Sequence, residues 1–391
     1  GGVVLRRASA GSEVPSRKAV TSLVLLFSVS ACAVTPDWVD PLAPRRDRDA
    51  AVEVLTFLWK KKLVERGDDY PQEFSSVAAS KNRIYVGSQS GVLFALGPDN
   101  GVVRWRASVG ATSSRPLVEG NRIYLGTDDG TLIALDSDNG RTLWRYPTKG
   151  SILQPPIVVG DTVLFSNEDD HVYALDRDSG QWRWQYDRET PDEFTIRGHA
   201  GVATDGEQVF CGFSDGHLVA LSAQSGKVEW VRSLAGNETR FVDVDATPAI
   251  AGGALYATSV AAGIHALDAS SGTELWKLPV RGAGSPSIDD EGKIYFAAAN
   301  EGLYAIDPKG RVLWRQGLRT AGDPARPVVD GDLLFLSLSS RGLMVVDRNS
   351  GRLLQEFSPG SGVSSEPTIH DQFVYVLSNG GVLYAFARSR E

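Results

Sequence analysis

The chain has 391 residues, of which 42% are hydrophobic and 23% charged, an ordinary globular composition that can fill a large core. Its net charge of −8, with no Lys/Arg run beyond Lys60-Lys61-Lys62, argues against nucleic acid as a partner, because such a surface needs a basic stripe to displace counterions. Length alone suggests two or three domains, but internal repetition overrides this in favour of one large domain.

From the N-terminus, residues 1–31 have the pattern of an export signal. Basic Arg6, Arg7, Arg17 and Lys18 precede an apolar run from Ala19 to Val29 that is too short for a permanent membrane helix and ends in small residues. Val29-Ser30-Ala31-Cys32 resembles a bacterial lipobox, which implies cleavage before Cys32 and acylation of that cysteine. Several acyl chains anchor where one does not. Ala33, rather than Asp, favours the outer membrane by analogy with lipoprotein sorting. Removal of residues 1–31 takes away four basic residues and one acidic one, leaving a charge of −11. Residues 32–54, with Pro36, Pro41, Pro44 and Arg45-Arg46-Asp47-Arg48-Asp49, read as the lipidated Cys and a flexible tether.

Residues 55–391 repeat one unit. Its second copy shows it whole, as Pro116-Leu117-Val118, Asn121 to Gly126, Gly130 to Asp136 and Gly140 to Trp144, four short strands joined by tight turns. This is one propeller blade. The third-strand element occurs eight times, at Phe94-Ala95-Leu96, Ile133 to Asp136, Tyr173 to Asp176, Val219-Ala220-Leu221, His265 to Asp268, Tyr304 to Asp307, Met344 to Asp347 and Tyr384-Ala385-Phe386. The fourth-strand aromatic occurs at Trp59, Trp105, Trp144, Trp184, Trp230, Trp276 and Trp314, with Phe357 in the eighth place. Trp59 has no blade before it and the last blade has no fourth strand after it. The expected fold is therefore all-β, an eight-bladed β-propeller closed by the N-terminal strand, which leaves no free edge at the seam. Recurrence of the Trp in nearly every blade assigns it to blade docking rather than to ligand stacking.

Several chemistries lack their residues. Asp136 to Gly140 and Asp176 to Gly180 superficially resemble calcium loops but lack the spacing and terminal Glu of an EF-hand, and read as turns. Cys211, in an apolar strand pattern, reads as a small buried hydrophobe. The histidines His171, His199, His217, His265 and His370 are scattered, although His171 and His217 fall at equivalent places in successive blades. No Cys-x-x-Cys-His or His-Glu-x-x-His motif is present. No metal and no cofactor is expected. The repeat resembles the pyrroloquinoline-quinone (PQQ) enzyme repeat, whose dehydrogenases carry a vicinal disulfide that this chain lacks, so the likeness implies fold more than catalysis.

The repeat lengthens twice in succession between Trp184 and Trp276. Trp105, Trp144 and Trp184 follow at intervals of 39 and 40, and Trp276 to Trp314 is 38, whereas Trp184 to Trp230 and Trp230 to Trp276 are each 46. The two longer intervals put long connections at about residues 186–199 and 232–246, neighbours on one face of the ring, and long loops in compact domains are often functional. The first holds Glu193-Phe194-Thr195-Ile196-Arg197-Gly198, two apolar anchors and an Arg, and the second holds Arg240-Phe241-Val242-Asp243-Val244-Asp245, two carboxylates on one side if extended. The bland alternative has Phe194 and Ile196 folded back and the aspartates capping amides or pairing with Arg197 or Arg240.

These two segments resemble those of the BamB family, propeller lipoproteins of the bacterial β-barrel assembly machinery. Arg240 to Pro248 is similar to the family's Asp-Val-Asp-Thr-Thr-Pro segment, with Ala246 for the first Thr, and Phe194 to Gly198 to its Leu-Ser-Leu-Arg-Gly segment, with both Leu replaced by other apolar residues. The lipobox, tether and propeller order fits as well. The resemblance implies a non-catalytic scaffold, monomeric as a propeller and lipid-anchored at the periplasmic face of the outer membrane. It implies binding to POTRA domains of BamA, the barrel-forming subunit, and help to nascent outer-membrane proteins. Phe194, Ile196, Arg197, Arg240, Asp243 and Asp245 would form the docking patch. A quinoprotein oxidoreductase and an envelope propeller that senses or binds another ligand, such as a glycan, are the alternatives.

Overall fold

The structure is a computed structural model that describes residues 53–64, 72–188, 199–236, 238, 242–299, 301–318 and 322–389. Cys32, the export signal and the tether up to residue 52 lie outside the described residues. The described residues form eight antiparallel sheets of four strands and no helix, the eight blades of a propeller. Blade 1 is Ala78–Ser80, Arg83–Val86, Val92–Leu96 and Val103–Ser108, and the next six blades repeat this order. In blade 8, Thr368–His370, Phe373–Leu377 and Val382–Arg388 are completed by the N-terminal strand Leu55–Lys62, antiparallel to Val382–Arg388 from Leu55↔Arg388 to Lys62↔Val382. The expected closure is thus observed.

Position in the blade explains residue type. First strands of neighbouring blades touch, so they form the inner wall, while fourth strands form the rim. The middle strands are sandwiched between adjacent blades and are buried on both faces, as in Leu132 to Leu135 and Val163 to Phe165. They therefore read as continuous apolar runs. The core consequently lies between blades: Tyr124, Leu132 and Ala134 of blade 2 pack with Val163, Phe165 and Leu175 of blade 3. Fourth strands expose alternate residues, and each carries a bulge where its pairing with the third strand skips one residue, as between Ala134↔Trp144 and Leu135↔Thr142.

The repeated Trp docks each blade onto the next. The indole N–H of Trp59, Trp105, Trp144, Trp184, Trp230, Trp276 and Trp314 donates to the carbonyl of Pro98, Ser137, Arg177, Ala223, Ala269, Pro308 and Arg348 respectively. Each ring lies flat against a turn glycine of that next blade, for example Trp314 against Gly351, where an added Cβ would meet the ring at 2.4 Å. That glycine also has φ +70°, which disfavours any side chain. Tyr85, Tyr124 and Tyr375 donate to the same carbonyls as the Trp of their own blade.

The eighth docking residue is Gln355, not Phe357. Val345↔Gln355 repeats the pairing Ala305↔Trp314, whereas Phe357 lies two residues on and packs against Tyr384 and Phe386. The physical reason is the seam: blade 8 has no turn between its third and fourth strands, so no turn carbonyl and glycine await an indole. Gln355 instead accepts from the N–H groups of Val54 and Leu55 at 2.9 and 2.8 Å and donates to the Leu55 carbonyl at 3.0 Å. Its amide imitates a strand partner.

The aspartate turns behave as turns. Asp136 Oδ1 accepts from the N–H of Asp138, and Asp176 Oδ1 from those of Asp178 and Ser179. Cys211 is buried, with its thiol pushed up by desolvation. Among the described residues no group of three or more His, Cys, Asp or Glu is placed to hold a metal.

Candidate docking face

Connections from a fourth strand to the next first strand, and turns between second and third strands, emerge on the same face of the ring. Two of the three longest such connections run from Asp187 to Ala203 and from Ser233 to Ala249, flanking blade 4, and the third runs from Lys62 to Ala78, between blades 8 and 1. Phe194, Ile196, Arg197 and Arg240 lie outside the described residues. Asp243 and Asp245 are described, and their segment is laid between the turns of blades 4 and 5. The Val244 N–H donates to the Phe213 carbonyl at 3.2 Å, the Val260 N–H to the Asp243 carbonyl at 3.2 Å, and Ser259 Oγ to the Val242 carbonyl at 3.2 Å. Val244 fills the space over Gly212, where an added Cβ would come within 2.2 Å of the Val244 carbonyl oxygen. The segment is thus fixed by its backbone and by one buried valine.

The carboxylates on either side of Val244 do not both stand open to solvent. Asp243 is only 2% exposed and Asp245 is half-buried. Burial, reinforced by the charges of Asp243 and Asp170, pushes the Asp245 carboxyl up to about 8. Asp170 completes an acidic cluster drawn from blades 3 to 5. Burial raises its carboxyl too, against the opposing bonds that Oδ1 accepts from Ser214 N–H at 3.2 Å and Ser214 Oγ at 3.1 Å.

Sequence reasoning passed over Asp170, although a signal was present. The same turn in blades 1, 2 and 4 carries Gly91, Gly130 and Gly216 at positive φ, while blade 3 has Asp170 at φ +57°. A non-glycine residue held left-handed at a turn is a strained choice that often marks function. Arg188 was also passed over. Its Nε donates to Asp215 Oδ2 at 2.5 Å, its Nη1 lies 3.3 Å from Tyr186 OH, and its guanidinium sits 5.9 Å from the centre of the Phe213 ring.

His171 and His217 do occupy equivalent places, each opening a third strand on this face. His217 Nδ1 lies 3.1 Å from Asp215 Oδ2, and His171 Nδ1 lies 3.1 Å from Tyr173 OH. His199 is buried where the first long connection re-enters the ring, and desolvation brings it down to about 4, so it is neutral. A further buried carboxyl, Glu73 in the connection from Lys62 to Ala78, accepts from the Gln89 N–H at 3.0 Å on the same face and is pushed up by burial to about 7. Chemically, the blade 3–5 sector offers a cluster of carboxyls, partly protonated near neutrality, with a cation–aromatic pair beside it. That suits polar and apolar docking of a protein surface.

Comparison with known proteins bears on the family and the fold. The family model for outer membrane protein assembly factor BamB matches residues 56–154, 113–309 and 299–390. The outer membrane protein assembly factor BamB of Yersinia pestis is 25% identical over 371 residues, covering 90% of this chain and 84% of that protein. That of Legionella pneumophila (strain Paris) is 29% identical over 181 residues, 45% of this chain, and the match spans about half (47%) of that relative's length. The crystal structure of BamB from Moraxella catarrhalis superposes with a TM-score of 0.74 at 22% identity, over 85% of this chain and 100% of that one. The quinohemoprotein alcohol dehydrogenase of Comamonas testosteroni shares the fold at a TM-score of 0.67 and 16% identity, over 89% of this chain and 79% of that one.

Proposed function

Because this chain belongs to the outer membrane protein assembly factor BamB family, we propose that it is a non-catalytic scaffold of outer-membrane protein assembly that docks through the loop face of blades 3 to 5. The observation that carries this reading is the clustering of Asp170, Asp243 and Asp245 where two of the three longest connections fall side by side. Crowding carboxyls in a partly buried place costs stability, and such places cluster at sites that are used. The partner is a POTRA domain of the BamA-type subunit, with Phe194 and Ile196 as apolar anchors, Arg197, Arg240 and Asp245 as the polar set, and Asp243 buried behind them rather than in direct contact. Nascent outer-membrane proteins are the clients. Lipidation at Cys32 holds the chain to the periplasmic face of the outer membrane, and residues 32–54 tether the propeller to that anchor.

A photoreactive residue at Ile196, activated in intact envelopes, tests this directly. Crosslinks to the POTRA region are expected. Crosslinks to polysaccharide or to unrelated proteins alone would sink the reading.

A further inference from the structure

Charge is unevenly distributed around the rim. The outer strands of blades 8, 1 and 2, Leu55–Lys62, Val103–Ser108 and Thr142–Pro147, carry six basic residues and no acidic one. The five other outer strands carry four basic and four acidic residues. A protein of net charge −8 therefore concentrates cations on three consecutive blades. Arg145 lies near Asp129 and is partly compensated. Lys60, Lys62, Arg104 and Arg106 are exposed, and the ion pairs among the described residues include none of them.

The same three edges gather exposed apolar side chains. Of ten large hydrophobics exposed among the described residues, four lie on these strands, Phe57, Leu58, Val103 and Leu143, and a fifth, Val102, immediately precedes one of them. Cations whose stems lie among exposed aliphatic groups are the mixture that suits a lipid headgroup boundary. Single-stranded nucleic acid would need free aromatic faces. Here Trp59, Trp105 and Trp144 are already turned onto Gly101, Gly140 and Gly180.

We propose that the rim of blades 8, 1 and 2 is a membrane-facing edge that binds anionic phospholipid headgroups. The edge includes the strand that the tether enters. The placement beside the tether rests on the lipid-anchor reading, whereas the headgroup chemistry does not.

The test uses the chain from residue 32, which holds every described strand, with Cys32→Ser so that no acyl chain contributes. Its partition onto phosphatidylglycerol vesicles at low salt should exceed that onto phosphatidylcholine vesicles by about ten-fold or more and should fall as salt rises. The double variant Lys60→Glu/Arg104→Glu should lose about ten-fold of that binding. The control Lys227→Glu/Lys277→Glu, with the same change in net charge, should lose less than about two-fold. Equal partition onto the two vesicles by the unmutated chain overturns the proposal without need of any variant, and so do equal losses in the two doubles at matched melting temperature. Capture of a POTRA fragment by the Lys60→Glu/Arg104→Glu chain should be unchanged, which separates this edge from the blade 3–5 face; lost capture by this double at matched melting temperature overturns a role confined to lipid.

Discussion

Between blades 6 and 7, Trp314 lies over Gly351 and its N–H is satisfied by the Arg348 carbonyl at 2.8 Å. Between blades 3, 4 and 5, burial instead gathers the carboxyls of Asp170, Asp243 and Asp245 and raises those of Asp170 and Asp245. The first contact has apolar area, shape and hydrogen bonding all favouring the fold. The second crowds carboxyls into a partly buried place, where desolvation works against their ionisation. Sites that break local rules in an otherwise consistent structure are where a surface is used. The blade 7 to 8 seam is a third case, in which an amide replaces the indole because the turn it would dock on is missing.

Variants can break this contrast, beginning with the largest effect. Trp314→Ala removes a buried ring and should cost about 3–5 kcal/mol. The expected signature is a lower denaturant midpoint, with POTRA capture unchanged per folded molecule. An unchanged midpoint would mean that the indole does not hold the blades together. Gln355→Leu leaves two N–H groups and one carbonyl at the seam without partners and should cost about 2–3 kcal/mol. Hydrogen exchange should quicken selectively in residues 55–62, and uniform quickening would argue against a local latch.

Asp245→Asn should act in the opposite direction. A folded-state carboxyl raised to about 8, against about 4 when unfolded, favours folding most below about pH 4, and this contribution is lost as pH rises towards 8. The variant should therefore gain on the order of 1–3 kcal/mol above about pH 8 and nothing near pH 4. Urea titrations across that range check the sign. Cys211→Ala, which removes only a small buried group, should cost about 1 kcal/mol and leave POTRA capture unaffected.

The ring was legible in the sequence because its determinants are local and recur: a Trp in the fourth strand, a turn glycine that the preceding blade's Trp covers, and a third strand buried on both faces. Gln355 was hidden because a glutamine carries no repeat signal and the aromatic Phe357 lay two residues away. Only the pairing Val345↔Gln355 fixes the phase. At the docking face, the loop lengths and the alternation of Asp243 with Asp245 were visible, but the burial of Asp243 was not. It depends on Val244 seating over Gly212, more than thirty residues earlier in the chain. Asp170 was legible in principle, through the glycine missing from Asn167-Glu168-Asp169-Asp170.

The most direct test measures stability and binding on the same variant. A POTRA fragment of the cognate barrel subunit is titrated into the wild-type chain and into Asp245→Asn at about pH 8, where the melting temperature should rise. Affinity is predicted to fall by about ten-fold as the fold becomes more stable, as loss of a charge at a polar docking contact requires. Unchanged affinity in the stabilised variant, or no binding by the wild type, would contradict the assignment of this face to the partner.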